Sequence, residues 1–245
     1  MPVPAKAFQR WLQAVAPAMS TADICRISGV KRTTLAQQLV RGKVAESTVV
    51  SISRAFNVNP VSSLASFEAY AHLAKPQAPP TREELVSQIA TTDLLRAVIA
   101  QSLPDAPETP PAPQPPLTPA PHATSVKNWV DAIDDGELRH RVSAATGIAP
   151  QNYSAQLTAN RLTPELAVAT GKAAGVGLTG GLVATGLITE EEAGWAQGAR
   201  QAALDSLSDG ALAALAGERL QALGRILRRQ ESDHERTEKI WENLG

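Results

Sequence analysis

The sequence predicts an all-α chain built as two related helical halves, and three observations predict it. Aromatic residues make up 4% of a chain that is 43% hydrophobic, so the core must rest on Ala, Leu, Val and Ile, a composition that favours helices. Between Thr21 and Lys43, apolar residues recur at helical spacing on both sides of Gly29. The same pattern returns at an offset of 118 residues, the separation of Gly29 and Gly147, without a gap over roughly fifty positions.

Ala5 to Val15 reads as a helix with Phe8, Trp11, Leu12 and Val15 on one face, which assigns Trp11 to the core rather than to base stacking. Ser20 and Asp23 form a capping-box-like start to the next helix, whose apolar face is Ile24 and Ile27. Gly29 stands where two helices must turn sharply, since glycine takes positive φ without steric cost. Val30 plugs the corner, and Leu35 and Leu39 hold the following helix to the core. Ser47–Phe56 and Pro60–Leu73 complete the first half, with Pro60 suited to a first helical turn. After a break at Lys75–Pro80, Thr81 and Glu84 cap a helix that carries Leu85, Ile89, Leu94, Leu95, Val98 and Ile99 to Leu103, kinked near Thr91 and Thr92.

Pro104 to Pro121 is proline-rich and reads as a semi-rigid spacer between domains. Beyond it, Trp11 falls on Trp129, Ile24 on Val142, Leu35 on Tyr153, Leu39 on Leu157 and Leu64 on Leu182. The expected domains are 1–75, a helical extension 76–103, the linker 104–123, a second domain 124–188 and a helical segment 189–245. In that last segment Glu190, Glu191 and Glu192 suit a helix N-terminus, and Ser208–Gly210 restarts the helix. Leu212, Leu215, Leu220, Leu223, Ile226 and Leu227 then form an apolar stripe. The stripe either covers the second domain's core or is a homodimer seam through the C-terminal helices. Charges of both signs follow from Arg228, with Ile240, Trp241 and Leu244 near the end.

The formal net charge of −1 hides an uneven distribution. Residues 1–75 carry nine Lys and Arg against three Asp and Glu, a net of +6, while residues 190–245 carry seven against eleven, a net of −4. Positive charge therefore gathers on the part of the chain that holds the first helix–glycine–helix. The helix after Gly29 offers Lys31, Arg32, Thr33, Thr34, Gln37, Gln38, Arg41 and Lys43, with no acid among them. These are groups that contact phosphates and base edges in a major groove.

The stretch Thr21–Lys43 resembles the helix-turn-helix of lambda-repressor-like (Cro/C1, or XRE-type) regulators, particularly those of actinobacteria and their phages. The resemblance runs on through Val49, Val50, Ile52, Ala55 and Phe56 to the turn Asn57–Pro60. It departs at Lys31, where the family often has a serine N-cap. The resemblance implies two tandem lambda-repressor-like domains and sequence-specific binding of double-stranded DNA by a repressor, loosely of the phage-immunity type. In the second copy the expected DNA contacts are Gln151, Asn152, Ser154, Asn160 and Arg161; Ala149 and Pro150 replace the two leading basic residues. Gln and Asn pair bidentately with adenine, so that module either reads bases with weaker phosphate affinity or has become a protein-binding domain of a DNA-tethered adaptor.

Other chemistry is not expected. The histidines lack metal-ligand spacing, and no catalytic constellation or cofactor is foreseen. Gly175–Gly180 fits GxGxxG, but the segment before it aligns with a helix, whereas the dinucleotide fingerprint follows a strand. A single cysteine, Cys25, fits a small core residue in a reducing, cytoplasmic setting. Ala173–Ile188 is too short and glycine-rich for a membrane span, so no membrane partner is expected.

Overall fold

The structure is a computed structural model that describes residues 2–102 and 115–244, with side chains for 2–101 and 115–235. The middle of the proline-rich run and the side chains of Ile240, Trp241 and Leu244 lie outside the described residues. The chain is mostly helical. It divides into two compact units, one formed by residues 1–88 with 119–200 and the other by 89–118 with 201–245.

In the first unit, a two-residue strand β1 (Val3–Pro4) pairs antiparallel with β2 (Lys43–Val44), a pairing too short to leave an alternation in the sequence. Between them lie α1 (Ala5–Val15), α2 (Thr21–Ser28) and α3 (Arg32–Val40). α4 (Glu46–Ala55) and α5 (Pro60–Ala65) follow. Phe8 and Trp11 of α1 are buried, with Trp11 stacked at a tilt between Phe8 and Phe67 at centroid distances of 5.6 and 5.9 Å. On α2 the buried residues are Ile24 and Cys25, whereas Ile27, expected on the apolar face, is 44% exposed. Burial raises the Cys25 thiol above its ordinary pKa, which disfavours the thiolate. The expected helix Pro60–Leu73 divides: buried Phe67 takes an extended backbone, and a 3₁₀ helix runs from Glu68 to Ala74.

α6 (Arg82–Ser87) starts on the foreseen capping box of Thr81 and Glu84. It ends earlier than expected, and α7 (Thr91–Ser102) is a separate helix rather than the far side of a kink. The break has a visible cause. Gln88 is fully buried, its carbonyl accepts from Arg200 Nη1 at 3.0 Å, and its side-chain amide donates to the Ser125 carbonyl at 3.3 Å. The Gln88 carbonyl is thus satisfied by a side chain from a distant part of the chain.

The second half of this unit repeats the first in backbone form. α8 (Ser125–Ile133), α9 (Leu138–Thr146), α10 (Pro150–Thr158), α11 (Pro164–Ala174) and α12 (Gly180–Ala184) stand at the 118-residue offset from α1 to α5, within a few residues at their ends. α3 and α10 match residue for residue. Gly29 and Gly147 end the preceding helices with φ of 70° and 72°, the left-handed conformation in which a Cβ is strained.

The two halves share one hydrophobic core cluster, so the boundaries at 75 and 124 are not where this unit divides. α6, expected as an extension of the first domain, packs against α8 of the second half. Glu84, fully buried, accepts from the Trp129 indole Nε1–H at 3.0 Å with one carboxyl oxygen and from the Thr81 backbone N–H at 3.0 Å with the other. The glycines of the GxGxxG stretch make this approach possible. A Cβ on Gly177 would lie 2.7 Å from the Ala78 carbonyl oxygen, and one on adjacent Gly181 would lie 2.6 Å from the Trp129 ring. The glycine-rich stretch is therefore a packing surface.

A second clasp joins α4 to the segment after α12. Arg54 holds Glu192 through two bonds of 2.6 and 2.8 Å and the Leu187 carbonyl at 3.2 Å, while the Asn59 amide donates to the Glu192 carbonyl at 3.1 Å. Thr189–Gly198, expected to be helical, consists of turns. The Thr189–Glu192 box caps one turn that ends at Gly194, where Gly194 N–H reaches the Glu191 carbonyl and Trp195 N–H the Glu190 carbonyl. α13 (Ala199–Asp205) and α14 (Asp209–Leu244) complete the chain. In the second unit, α7 packs against the start of α14, where Leu212 and Ala216 are buried with Ile89 and Leu94 in that unit's core.

Candidate nucleic-acid interface

α3 begins without a side-chain cap: Lys31 is its extended N-cap residue, its side chain has no acceptor to offer, and it is exposed. Leu35 is buried, and Leu39 packs against the core, which fixes the inner face. At 3.6 residues per turn the outward face is Thr33, Gln37 and Val40, flanked by Thr34 and Arg41. Lys31, Arg32, Thr33, Thr34, Gln37, Arg41 and Lys43 are all exposed, and Val40 is 88% exposed. The surface is therefore basic at both ends of the helix and carries a hydroxyl, an amide and a methyl-bearing side chain between them. Such a set can bond phosphate oxygens at the ends and base edges in the middle.

Gln38 differs from the sequence expectation. Its amide oxygen accepts from the Ala45 backbone N–H at 3.3 Å and from the Thr48 hydroxyl at 3.0 Å, so it joins α3 to the start of α4. This contact orients α3 instead of pointing at a ligand. Glu46, at the start of α4, is buried and accepts from the Tyr70 hydroxyl at 2.5 Å. Burial, together with that carboxyl, pushes the Tyr70 phenol well above its ordinary range.

On α10, Tyr153 and Leu157 are the buried residues, and the Tyr153 hydroxyl meets Thr170 Oγ1 at 2.8 Å. Gln151 and Asn152 are exposed in the first turn, and Arg161 is exposed just past the end; Ser154 is half-buried. Asn160 differs from expectation: its side-chain oxygen accepts from the Val126 backbone N–H at 2.9 Å and the Lys127 N–H at 3.4 Å, capping the start of α8. Nearby cations are engaged with acids, Arg139 with Asp131 and Asp134 and Arg141 with Asp135. The Arg141 guanidinium holds the Asp135 carboxyl below its ordinary range. The second face is consequently polar and nearly uncharged.

A cleft of about 410 Å³ lies beside the C-terminal end of α3. Its walls are Pro2, Gln38, Arg41, Lys43, Ala45 and Glu46 from the first half and Thr163, Pro164 and Glu165 from the N-terminus of α11. Arg41 and Lys43 thus stand at the junction of the two halves. Among the described residues no group of three or more His, Cys, Asp or Glu could hold a metal ion, and no helix is long and apolar enough to cross a membrane. Comparison with protein-family models, with curated proteins and with solved structures returns no match.

Proposed function

We propose that this chain is a sequence-specific DNA-binding regulator, a repressor of transcription that reads double-stranded DNA with two unlike helix-turn-helix modules. The observation that carries the reading is the pair α3 and α10. They occupy matching places in a repeated backbone, each after a left-handed glycine, and each presents an acid-free exposed face. The first face supplies phosphate contacts through Lys31, Arg32, Arg41 and Lys43, and base contacts through Thr33, Thr34 and Gln37. The second supplies Gln151 and Asn152 to base edges and Arg161 to the backbone. Both faces belong to one compact unit, so the operator is a single asymmetric site with one fixed spacing between its two unlike parts.

Footprinting of Gln151→Ala with Asn152→Ala beside the wild type tests this. The footprint should shorten on one side and lose sequence preference there, with discrimination falling by about 1–3 kcal/mol for each bidentate pair removed. The absence of leading charge at Ala149 and Pro150 favours a second reading, an adaptor whose first module binds DNA and whose second binds protein. An unchanged footprint in the double variant would leave only that reading.

A further inference from the structure

We propose that α1 forms a second hold on the DNA backbone, with Lys6 and Arg10 meeting phosphates beside those that Arg41 and Lys43 meet, an assignment that rests on the DNA-binding reading of α3. The pairing of β1 with β2 sets Pro4 opposite Lys43, and the Ala5 backbone N–H donates to the Gly42 carbonyl at 3.0 Å. Lys6, the next residue, therefore stands beside the Arg41–Lys43 turn. Arg10 follows four positions on, one turn along the same side of α1 and about 6 Å further along its axis. Both are exposed, as are Gln9 and Gln13 around them, and no acid precedes Asp23 in the chain.

The cations of the first half fall into two groups. Arg26 is paired with Asp23, and Arg54 with Glu192. Among the described residues, the side chains of Lys6, Arg10, Lys31, Arg32, Arg41 and Lys43 have neither an ion pair nor a hydrogen bond, and all six are exposed. The repeat indicates that the fold does not require the charge on α1. At the 118-residue offset Lys6 falls on Thr124 and Arg10 on Asn128, and there the Asn128 amide donates to Thr124 Oγ1 at 2.8 Å. Lys127, the cation of α8, is bonded to Asp131. Neutral residues thus fill these two places in the same backbone. Like charges four apart on a helix weaken it slightly, a cost that an outside polyanion offsets, and the duplex read by α3 is the polyanion within reach.

Titration of the full chain with mixed-sequence duplex DNA at several salt concentrations tests it, with far-UV circular dichroism as the check on folding. The wild type should bind with an affinity that falls steeply as salt rises. Lys6→Gln with Arg10→Gln should bind more weakly at low salt, with a log–log slope shallower by about 1.8, or about 0.9 for each phosphate no longer neutralised. Lys6→Arg with Arg10→Lys should keep the wild-type slope, because a phosphate contact of this kind asks for charge. Arg225→Gln with Arg228→Gln removes the same charge from exposed positions of α14 and should leave the slope as it is. A wild-type slope in the double glutamine variant of α1 overturns the role of Lys6 and Arg10 while leaving the DNA reading of α3 in place. An equal loss of slope in the α14 variant makes the effect one of net charge and overturns the role as well. A wild type that binds no duplex at low salt overturns both readings.

Discussion

Replacing Glu84 by alanine should destabilise residues 1–88 and 119–200 together, although Glu84 lies in the first half of the chain and its partner Trp129 in the second. The substitution leaves the buried indole N–H of Trp129 without an acceptor, at a cost of about 1–3 kcal/mol. It also removes the reciprocal half of the Thr81 capping box, worth about 1 kcal/mol. The total is about 2–4 kcal/mol, which for a unit of this size lowers the melting temperature by about 4–16 °C. Calorimetry of the full chain should show the transition of this unit shift as one. Hydrogen exchange should show protection falling in α4 as well as in α11, because both lie on the shared core. If protection in α4 stays at the wild-type level while α11 loses it, the halves unfold independently and do not form one cooperative unit.

Glu192→Gln should remove a stabilisation that is modest, under about 1 kcal/mol, because Arg54 is partly exposed. Arg54 holds the Glu192 carboxyl below its ordinary range, so this contribution is present above the unfolded carboxyl pKa and fades as pH falls through the folded value; urea melts of wild type and variant should converge in acid. Gly181→Val should cost about 1–3 kcal/mol by overpacking against Trp129 and the Ala167 carbonyl, read as a lowered denaturation midpoint, and an unchanged midpoint would refute the packing role given to the glycines. Arg41→Ala and Lys43→Ala should each weaken DNA binding and make its salt dependence shallower by about 0.9 in log–log slope for each phosphate no longer neutralised, measured by titration at several salt concentrations.

Local structure was legible in the residues because its causes lie within one helical turn. The Ser20 cap on Asp23, the Thr81–Glu84 box and the left-handed Gly29 and Gly147 each depend on neighbours three or four positions away. The 118-residue offset was legible because two copies of a backbone need the same turn and core positions filled alike. What the tertiary structure decided were the contacts between groups far apart in the chain. Nothing local distinguishes Gln38, whose amide holds Thr48, from exposed Gln37 beside it, nor marks Asn160 as the cap of a helix that begins 35 residues earlier. The proline-rich run read as a spacer because its prolines favour an extended, semi-rigid chain, yet Glu84 reaches Trp129 across 45 residues and Arg54 reaches Glu192 across 138. Pattern in a sequence records which face of an element is apolar; which other element covers that face is set by packing, and packing has no period to read.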